Sequence, residues 1–212
     1  QVLNFTGTPV SSTCGKSNGS ACVSVSGGVA SYLVAWDDPS NTIGVCADSI
    51  PAGTYNPVVT DSNGCTYSAP VVINNISGPV LDTILTTGLL CTGDSSGSAS
   101  ITLSGGTPPF TYQWSNGGAQ SAILNLQSAI YTITVTDANG CADTNTVTII
   151  EPTALSTTVT STNATCDSAN GDATVSVTGG TPGYSYLWNP SGQTTSFATG
   201  LTSAVPYTVT IT

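Results

Sequence analysis

The sequence predicts an all-β protein of three tandem immunoglobulin-like β-sandwich domains, the third lacking its closing strand. Three observations predict it: a block that recurs along the chain, strand-like alternation inside each copy, and a Trp and a Tyr placed as in an immunoglobulin core. The block Val59-Thr60-Asp61-Ser62-Asn63-Gly64-Cys65 returns as Val135-Thr136-Asp137-Ala138-Asn139-Gly140-Cys141, and Ile211-Thr212 matches its start a third time. Each copy orders a Cys, a Gly-Gly, a Trp and a Tyr: Cys14, Gly27-Gly28, Trp36 and Tyr55; Cys91, Gly105-Gly106, Trp114 and Tyr131; Cys166, Gly179-Gly180, Trp188 and Tyr207. A period of roughly 75 residues suits one small domain per repeat rather than a solenoid unit. The expected domains are 1–78, 79–152 and 153–212.

In the first domain Val2-Leu3-Asn4-Phe5 reads as the opening strand. Ala21, Val23 and Val25 alternate up to the Gly27-Gly28 turn. Tyr32, Val34 and Trp36 share a parity that turns them inward, Tyr55 and Val59 precede Asp61, and Val71-Val72-Ile73 closes the domain. Pro57 marks an edge or irregular position. The second domain is the cleanest copy, with Ala99, Ile101 and Leu103, then Phe110, Tyr112 and Trp114, then Tyr131, Ile133 and Val135 on the inner faces. The third repeats the scheme with Ala173, Val175 and Val177, then Tyr184, Tyr186 and Trp188, then Tyr207, Val209 and Ile211. Period-two alternation of β-branched and aromatic residues is the half-buried strand pattern, and no helical period is sustained anywhere. A small barrel is the alternative architecture.

Of the 212 residues 39% are hydrophobic but only 6% charged, with Lys16 the single basic residue, no His and a net charge of −10. Nucleic-acid binding needs clustered Lys and Arg, so DNA and RNA are excluded as partners. No apolar run approaches the roughly 20 residues of a membrane-spanning helix, and the chain opens without a signal peptide, as a processed or excerpted one would. Acid–base and nucleophilic catalysis draw on His, Lys, Glu, Asp and activated Cys or Ser. With one Glu, Glu151, and its Asp residues mostly in turns, the chain reads as a non-enzyme.

Seven Cys in this periodicity argue for disulfides formed in an oxidising, extracellular setting. The expected pairs are Cys14 with Cys65 and Cys91 with Cys141, each tying the chain before one inner strand to the turn after another. Cys22 and Cys46 occur only in the first copy, and a bond between them would lie off the core face. Cys166 is left over: its partner belongs to a longer repeat array, or a neighbouring subunit supplies the missing strand by strand complementation, or the thiol is free.

Asp61-Ser62-Asn63-Gly64 and Asp137-Ala138-Asn139-Gly140 read as hairpin turns, the Asn-Gly supplying positive φ and the Asp bonding its own backbone. Half of a Ca²⁺ loop is the competing reading, although Ca²⁺ wants six to eight oxygens. No other cofactor is expected. The Gly-Gly pairs lack a phosphate-loop pattern. Trp36, Trp114 and Trp188 share parity with core residues, which favours burial over stacking on sugar.

With Ser-Gly-Gly-Thr-Pro-Pro-Phe-Thr-Tyr-Gln-Trp-Ser-Asn-Gly and Tyr-Thr-Ile-Thr-Val-Thr-Asp-Ala-Asn-Gly-Cys in one unit, residues Cys91 to Cys141 closely resemble the SprB repeat, found in very large surface proteins of Bacteroidetes that include the mobile adhesin of gliding bacteria. The third copy matches through Thr178-Gly179-Gly180-Thr181-Pro182-Gly183-Tyr184. The first departs, with Val29-Ala30-Ser31 for Thr-Pro-Pro and the extra Cys pair. The resemblance implies export to the cell surface and work as a filament or adhesin stalk. Its partners would be copies of itself, further repeats of a longer chain, or surface glycans. It also implies O-glycan attachment at Asp-Ser/Thr-apolar motifs, which places candidates at Ser49, Thr83 and Ser168. A carbohydrate-binding module of a secreted protein is the second reading.

Overall fold

A computed structural model describes residues 1–165, 168–203 and 205–212. Cys166 and Asp167, the latter the first residue of the third glycan motif, lie outside the described residues. Among the described residues every regular element is a strand. The first copy holds β1 (Asn4–Val10), β2 (Ser12–Thr13), β3 (Gly19–Ser26), β4 (Leu33–Ala35), β5 (Cys46–Ile50), β6 (Gly53–Tyr55), β7 (Val58–Thr60), β8 (Thr66–Ser68), β9 (Val71–Ile73) and β10 (Asn75–Ile76). The second holds β11 (Pro79–Thr87), β12 (Gly97–Gly105), β13 (Thr111–Trp114), β14 (Ala122–Leu126), β15 (Ala129–Thr136) and β16 (Ala142–Ile149). The third holds β17 (Ser156–Thr162), β18 (Gly171–Thr178), β19 (Tyr186–Asn189), β20 (Phe197–Leu201) and β21 (Thr208–Ile211).

In the first copy one sheet has the order β1-β3-β5 and the other β4-β7-β8; in the second, β11-β12-β14 and β13-β15-β16; in the third, β17-β18-β20 and β19-β21. Strands A, B and E on one sheet and C, F and G on the other is the immunoglobulin-like arrangement. Each copy therefore carries an immunoglobulin-like β-sandwich pattern, with β2 and β10 forming a short parallel pair outside it.

The chain groups into two compact units, one of Gln1–Leu85, Ser100–Ala122 and Tyr131–Thr146, the other of Thr86–Ala99, Ile123–Ile130 and Val147–Thr212. In the first unit, Phe5, Ala21, Val23, Ala47 and Ile50 from one sheet pack with Val34, Trp36 and Val59 in and beside the other, and with Val71 and Ile73 of β9, which pairs with β6. Trp114, Ile133 and Val135 are buried in the same unit.

The opening strand runs Asn4–Val10, further along than Val2–Phe5, and pairs with β3 from Asn4↔Ser26 to Val10↔Ser20. Phe5, Gly7 and Pro9 lie opposite Val25, Val23 and Ala21, and of these three Phe5 alone is buried. Gly7 hides the alternation because Val71 fills its place: a Cβ there would lie 2.8 Å from Val71 Cγ2. Tyr32 departs from its expected inward position. It precedes β4, is 37% exposed, and donates its hydroxyl hydrogen to Gly27 O.

In the second unit β17 pairs with β18, β18 with β20, and β19 with β21. Ala173, Val175, Trp188, Ala198 and Leu201 form the core, with Val177, Tyr186, Tyr207, Val209 and Ile211 against it. Among the described residues no helix is long and apolar enough to cross a membrane.

Candidate functional site

The recurring Asp-x-Asn-Gly-Cys segment is a cage built around one carboxylate. Asp61 Oδ1 accepts from the N–H groups of Asn63 and Cys65, each at 2.9 Å, and Oδ2 from Val29 N at 3.0 Å. Asp137 repeats this with Asn139 and Cys141 at 2.9 Å and Thr107 at 3.0 Å. The backbone closes both turns, Asp61 N to Cys65 O and Asp137 N to Cys141 O at 2.9 Å, with Gly64 and Gly140 at positive φ. The side chain thus clips its own turn to the loop after the Gly-Gly pair.

The N–H groups of Val29 and Cys65 hold the Asp61 carboxyl below the usual carboxylate range. At Asp137 burial pushes the carboxyl up, but donors from Thr107, Cys141 and Asn139 outweigh it and set it low. Three N–H donors already supply the positive partner that an ionised carboxylate seeks. Among the described residues no group of three or more His, Cys, Asp or Glu is placed to hold a metal ion. The geometry is that of a hairpin turn.

Gly-Gly opens the facing loop because no other residue fits. Gly27 and Gly28 have φ of +73° and +61°, and a Cβ on Gly27 would lie 1.9 Å from Val2 O. The Ala30–Ser31 peptide that follows is cis, as is Pro108–Pro109.

The cysteines correct the expected pairing. Cys14 is bonded to Cys141, not Cys65, with Cα atoms 5.2 Å apart; Cys65 and Cys91 are free and exposed. Cys22 is bonded to Cys46, directly opposite it on β3 and β5. The reason lies in strand direction. Cys14 follows β1 and β2 at the end of the sandwich where β3 begins, whereas the Asp61 turn is clipped to Val29, past the far end of β3. Eight residues of strand separate those ends, about 25 Å at 3.2–3.4 Å per residue, far beyond disulfide reach.

Cys14 is instead carried to the exit of its own repeat. Cys14 N donates to Ile76 O at 3.0 Å and Gly15 N to Asn75 Oδ1 at 2.8 Å. Two residues on, Gly78 packs against Cys141 so closely that a Cβ would lie 2.5 Å from the Cys141 Cβ. The second repeat's own turn therefore brings Cys141 to the first repeat's cysteine. Periodic spacing alone could not distinguish this offset pairing from pairing inside one copy.

Trp36, Trp114 and Trp188 are each 2–3% exposed. Their indole N–H groups donate to the backbone oxygens of Gly44, Gln120 and Thr195 at 2.9–3.0 Å. They are core anchors and offer no face to a sugar. Tyr55 donates its hydroxyl hydrogen to Pro51 O, four residues upstream, and Tyr207 Oη accepts from Thr202 N, five upstream. Both are tyrosine corners of the immunoglobulin kind.

The cysteine, the Gly-Gly loop and the buried Trp lie together in the three stretches that the SprB repeat family model matches, residues 6–41, 83–119 and 158–193, more than half of the chain. The chain belongs to the SprB repeat family. No curated protein matches it. Among solved structures it is similar to the eight N-terminal Ig domains of Down syndrome cell adhesion molecule, at 11% identity and TM-score 0.46 over 89% of this chain, and spans 29% of that chain. It is also similar to a C-terminal 282-residue fragment of intimin solved with its receptor's intimin-binding domain, at 14% identity and TM-score 0.36, covering 73% of this chain and 66% of that one. Drosophila OTK extracellular domains 3–5 match at 10% identity and TM-score 0.33, over 99% and 95% of the two chains. Beyond its matched stretches each SprB repeat here carries the tyrosine and, in the first two copies, the caged turn.

Proposed function

We propose that this chain is a non-catalytic segment of an extracellular, cell-surface adhesin stalk of the Bacteroidetes type, in which SprB repeats act as structural modules with boundaries near 78 and 152. One observation carries the reading: the Trp of every copy and the Asp of the first two are spent on anchoring the fold, and Cys14 and Cys141 on joining repeats. Trp36, Trp114 and Trp188 are buried, and the Asp61 and Asp137 carboxylates are consumed by their own turns. Antibodies to this segment are expected to label intact native cells; labelling only after permeabilisation would overturn the proposal.

The third repeat supports the view that modules are completed by a further strand. A Cβ on Gly19 would lie 2.8 Å from Ile73 Cγ2, and one on Gly97 2.8 Å from Ile149 Cγ2. At the matching Gly171 the nearest atoms are backbone, and a cavity of about 560 Å³ opens among Val159, Gly171, Trp188, Leu201 and Tyr207. In this reading a strand bearing an apolar residue at the Ile73 and Ile149 position fills it, as the third repeat's own continuation in a longer array. Sedimentation of the 212-residue chain checks the source: a monomer is expected, and a concentration-dependent oligomer would point to complementation between copies and filament assembly.

Ser49, Thr83 and Ser168 are all exposed and are proposed as O-glycan sites. Intact mass of the native material should exceed that of the bare polypeptide; the bare mass would refute the assignment.

A further inference from the structure

Cys91 sits in the second unit as Cys14 sits in the first. Leu89 N donates to Ile150 O at 2.9 Å where Ser12 N donates to Asn74 O, and Gly93 N, two residues after Cys91, donates to Glu151 Oε2 at 2.7 Å where Gly15 N, one residue after Cys14, donates to Asn75 Oδ1. The Gly-Gly loop arrives in the same way: a Cβ on Gly105 would meet Gly78 O at 3.1 Å, and one on Gly179 would meet Ala154 O at 2.1 Å.

What differs is occupancy. Beside Cys14 the Asp137 turn is in place and Cys141 is bonded, leaving a smaller and more polar hollow of about 360 Å³ lined by Asn75, Gly78, Pro79 and Asp143 among others. Beside the free Cys91 is a largely apolar cavity of about 440 Å³, lined among others by Pro152, Leu155, Gly180, Tyr184 and Thr212. Thr212 matches Thr136, from which Cys141 lies five residues on. The strand that enters this cavity is thus the counterpart of the one that delivers the caged turn.

We propose that SprB repeats are cross-linked one step out of register. The first cysteine of each repeat bonds the Asp-x-Asn-Gly-Cys cysteine of the repeat that follows, and Cys91 with its cavity is the seat for the third repeat's own turn. Cys65, exposed on the first repeat's turn, is the complementary half, the cysteine that a Cys91-type seat would take. Closure joins two thiols as one disulfide and releases two protons and two electrons. A low-molecular-weight disulfide takes these up and leaves as two thiols. The bond runs along the array, so each junction between repeats is covalently clamped twice, once by the chain and once by sulfur.

The test extends the 212-residue chain after Thr212 with the second repeat's residues 137–149, which supply turn and closing strand together. The extended chain is oxidised with glutathione disulfide and digested without reduction. The Cys91 peptide should be recovered linked to the added cysteine, with Cys14 linked to Cys141 and Cys65 alkylatable. Linkage of the added cysteine to Cys65, Cys141 or Cys166, or covalent dimers through Cys65 and Cys91, would overturn the proposal. So would alkylation of both Cys91 and the added cysteine while Trp188 fluorescence and thermal melting report a folded third repeat. A chain that loses that folded signal is replaced by the same extension with Cys91→Ser and a Ser in the added position; if it is folded, the bond itself is disfavoured and the proposal fails. The readout is a bond rather than a location, so its failure would leave the surface assignment standing.

Discussion

Cys14 and Cys141 are 127 residues apart in sequence and share one disulfide, while Cys65, the nearer copy of the same turn cysteine, stays free. The bond closes a loop longer than any single repeat. On the chain-entropy account a loop of this length contributes about 5 kcal/mol, and the 24-residue separation of Cys22 and Cys46 about 3.5 kcal/mol. The double substitution Cys14→Ser/Cys141→Ser should therefore shift the denaturant midpoint more than Cys22→Ser/Cys46→Ser. Equal or reversed shifts in urea titrations would contradict the ranking.

Acid should loosen the caged turns. Asp61 and Asp137 have folded pKa values below those of the unfolded chain. Their contribution is fully present above the ordinary Asp pKa of about 3.9 and is lost as pH falls through the lower, folded value. Urea midpoints measured from pH 6 down to pH 2 should decline below about pH 4, and Asp137→Asn should flatten part of that decline. A profile that the Asn variant leaves unchanged would remove Asp137 from the account.

Trp114 separates packing from hydrogen bonding. It is 2% exposed and its indole donates to Gln120 O at 2.9 Å. Trp114→Ala should cost about 3–5 kcal/mol through lost burial and the cavity left behind. Trp114→Phe retains much of the ring contact but leaves the Gln120 carbonyl without its indole donor, adding about 1–3 kcal/mol to a smaller packing loss. The native emission should be blue-shifted and poorly quenched by acrylamide. Ready quenching of all three tryptophans would show them to be surface residues.

The two roles of glycine can be told apart by a pair of substitutions. Gly64 has φ of +82° with nothing within 4 Å of a Cβ, whereas Gly27 has φ of +73° and would place its Cβ 1.9 Å from Val2 O. Gly64→Ala carries only the left-handed backbone strain, about 1–3 kcal/mol. Gly27→Ala must also displace the opening segment. Thermal melts should rank Gly27→Ala well below Gly64→Ala, and a similar loss in both would mean that the Val2 contact is dispensable.

Period-two alternation, the Trp and Tyr spacing and the recurring Asp-x-Asn-Gly by themselves determined the all-β class, the buried faces and the hairpin turns. These are local properties: a strand's inward positions and a turn's positive φ are written in neighbouring residues. Gly7 resisted that reading because it depends on a distant partner, Val71 filling the space above it, and Tyr32 because its hydroxyl is held by Gly27 O in the turn before β4 rather than by the core. The sulfur pairing was the largest thing left to the tertiary structure. Cys65 and Cys141 have the same local sequence, and only the antiparallel course of β3 decides that a repeat's first cysteine and its own turn lie at opposite ends. That separation, too long for any disulfide, sends the bond from Cys14 onward to the next repeat.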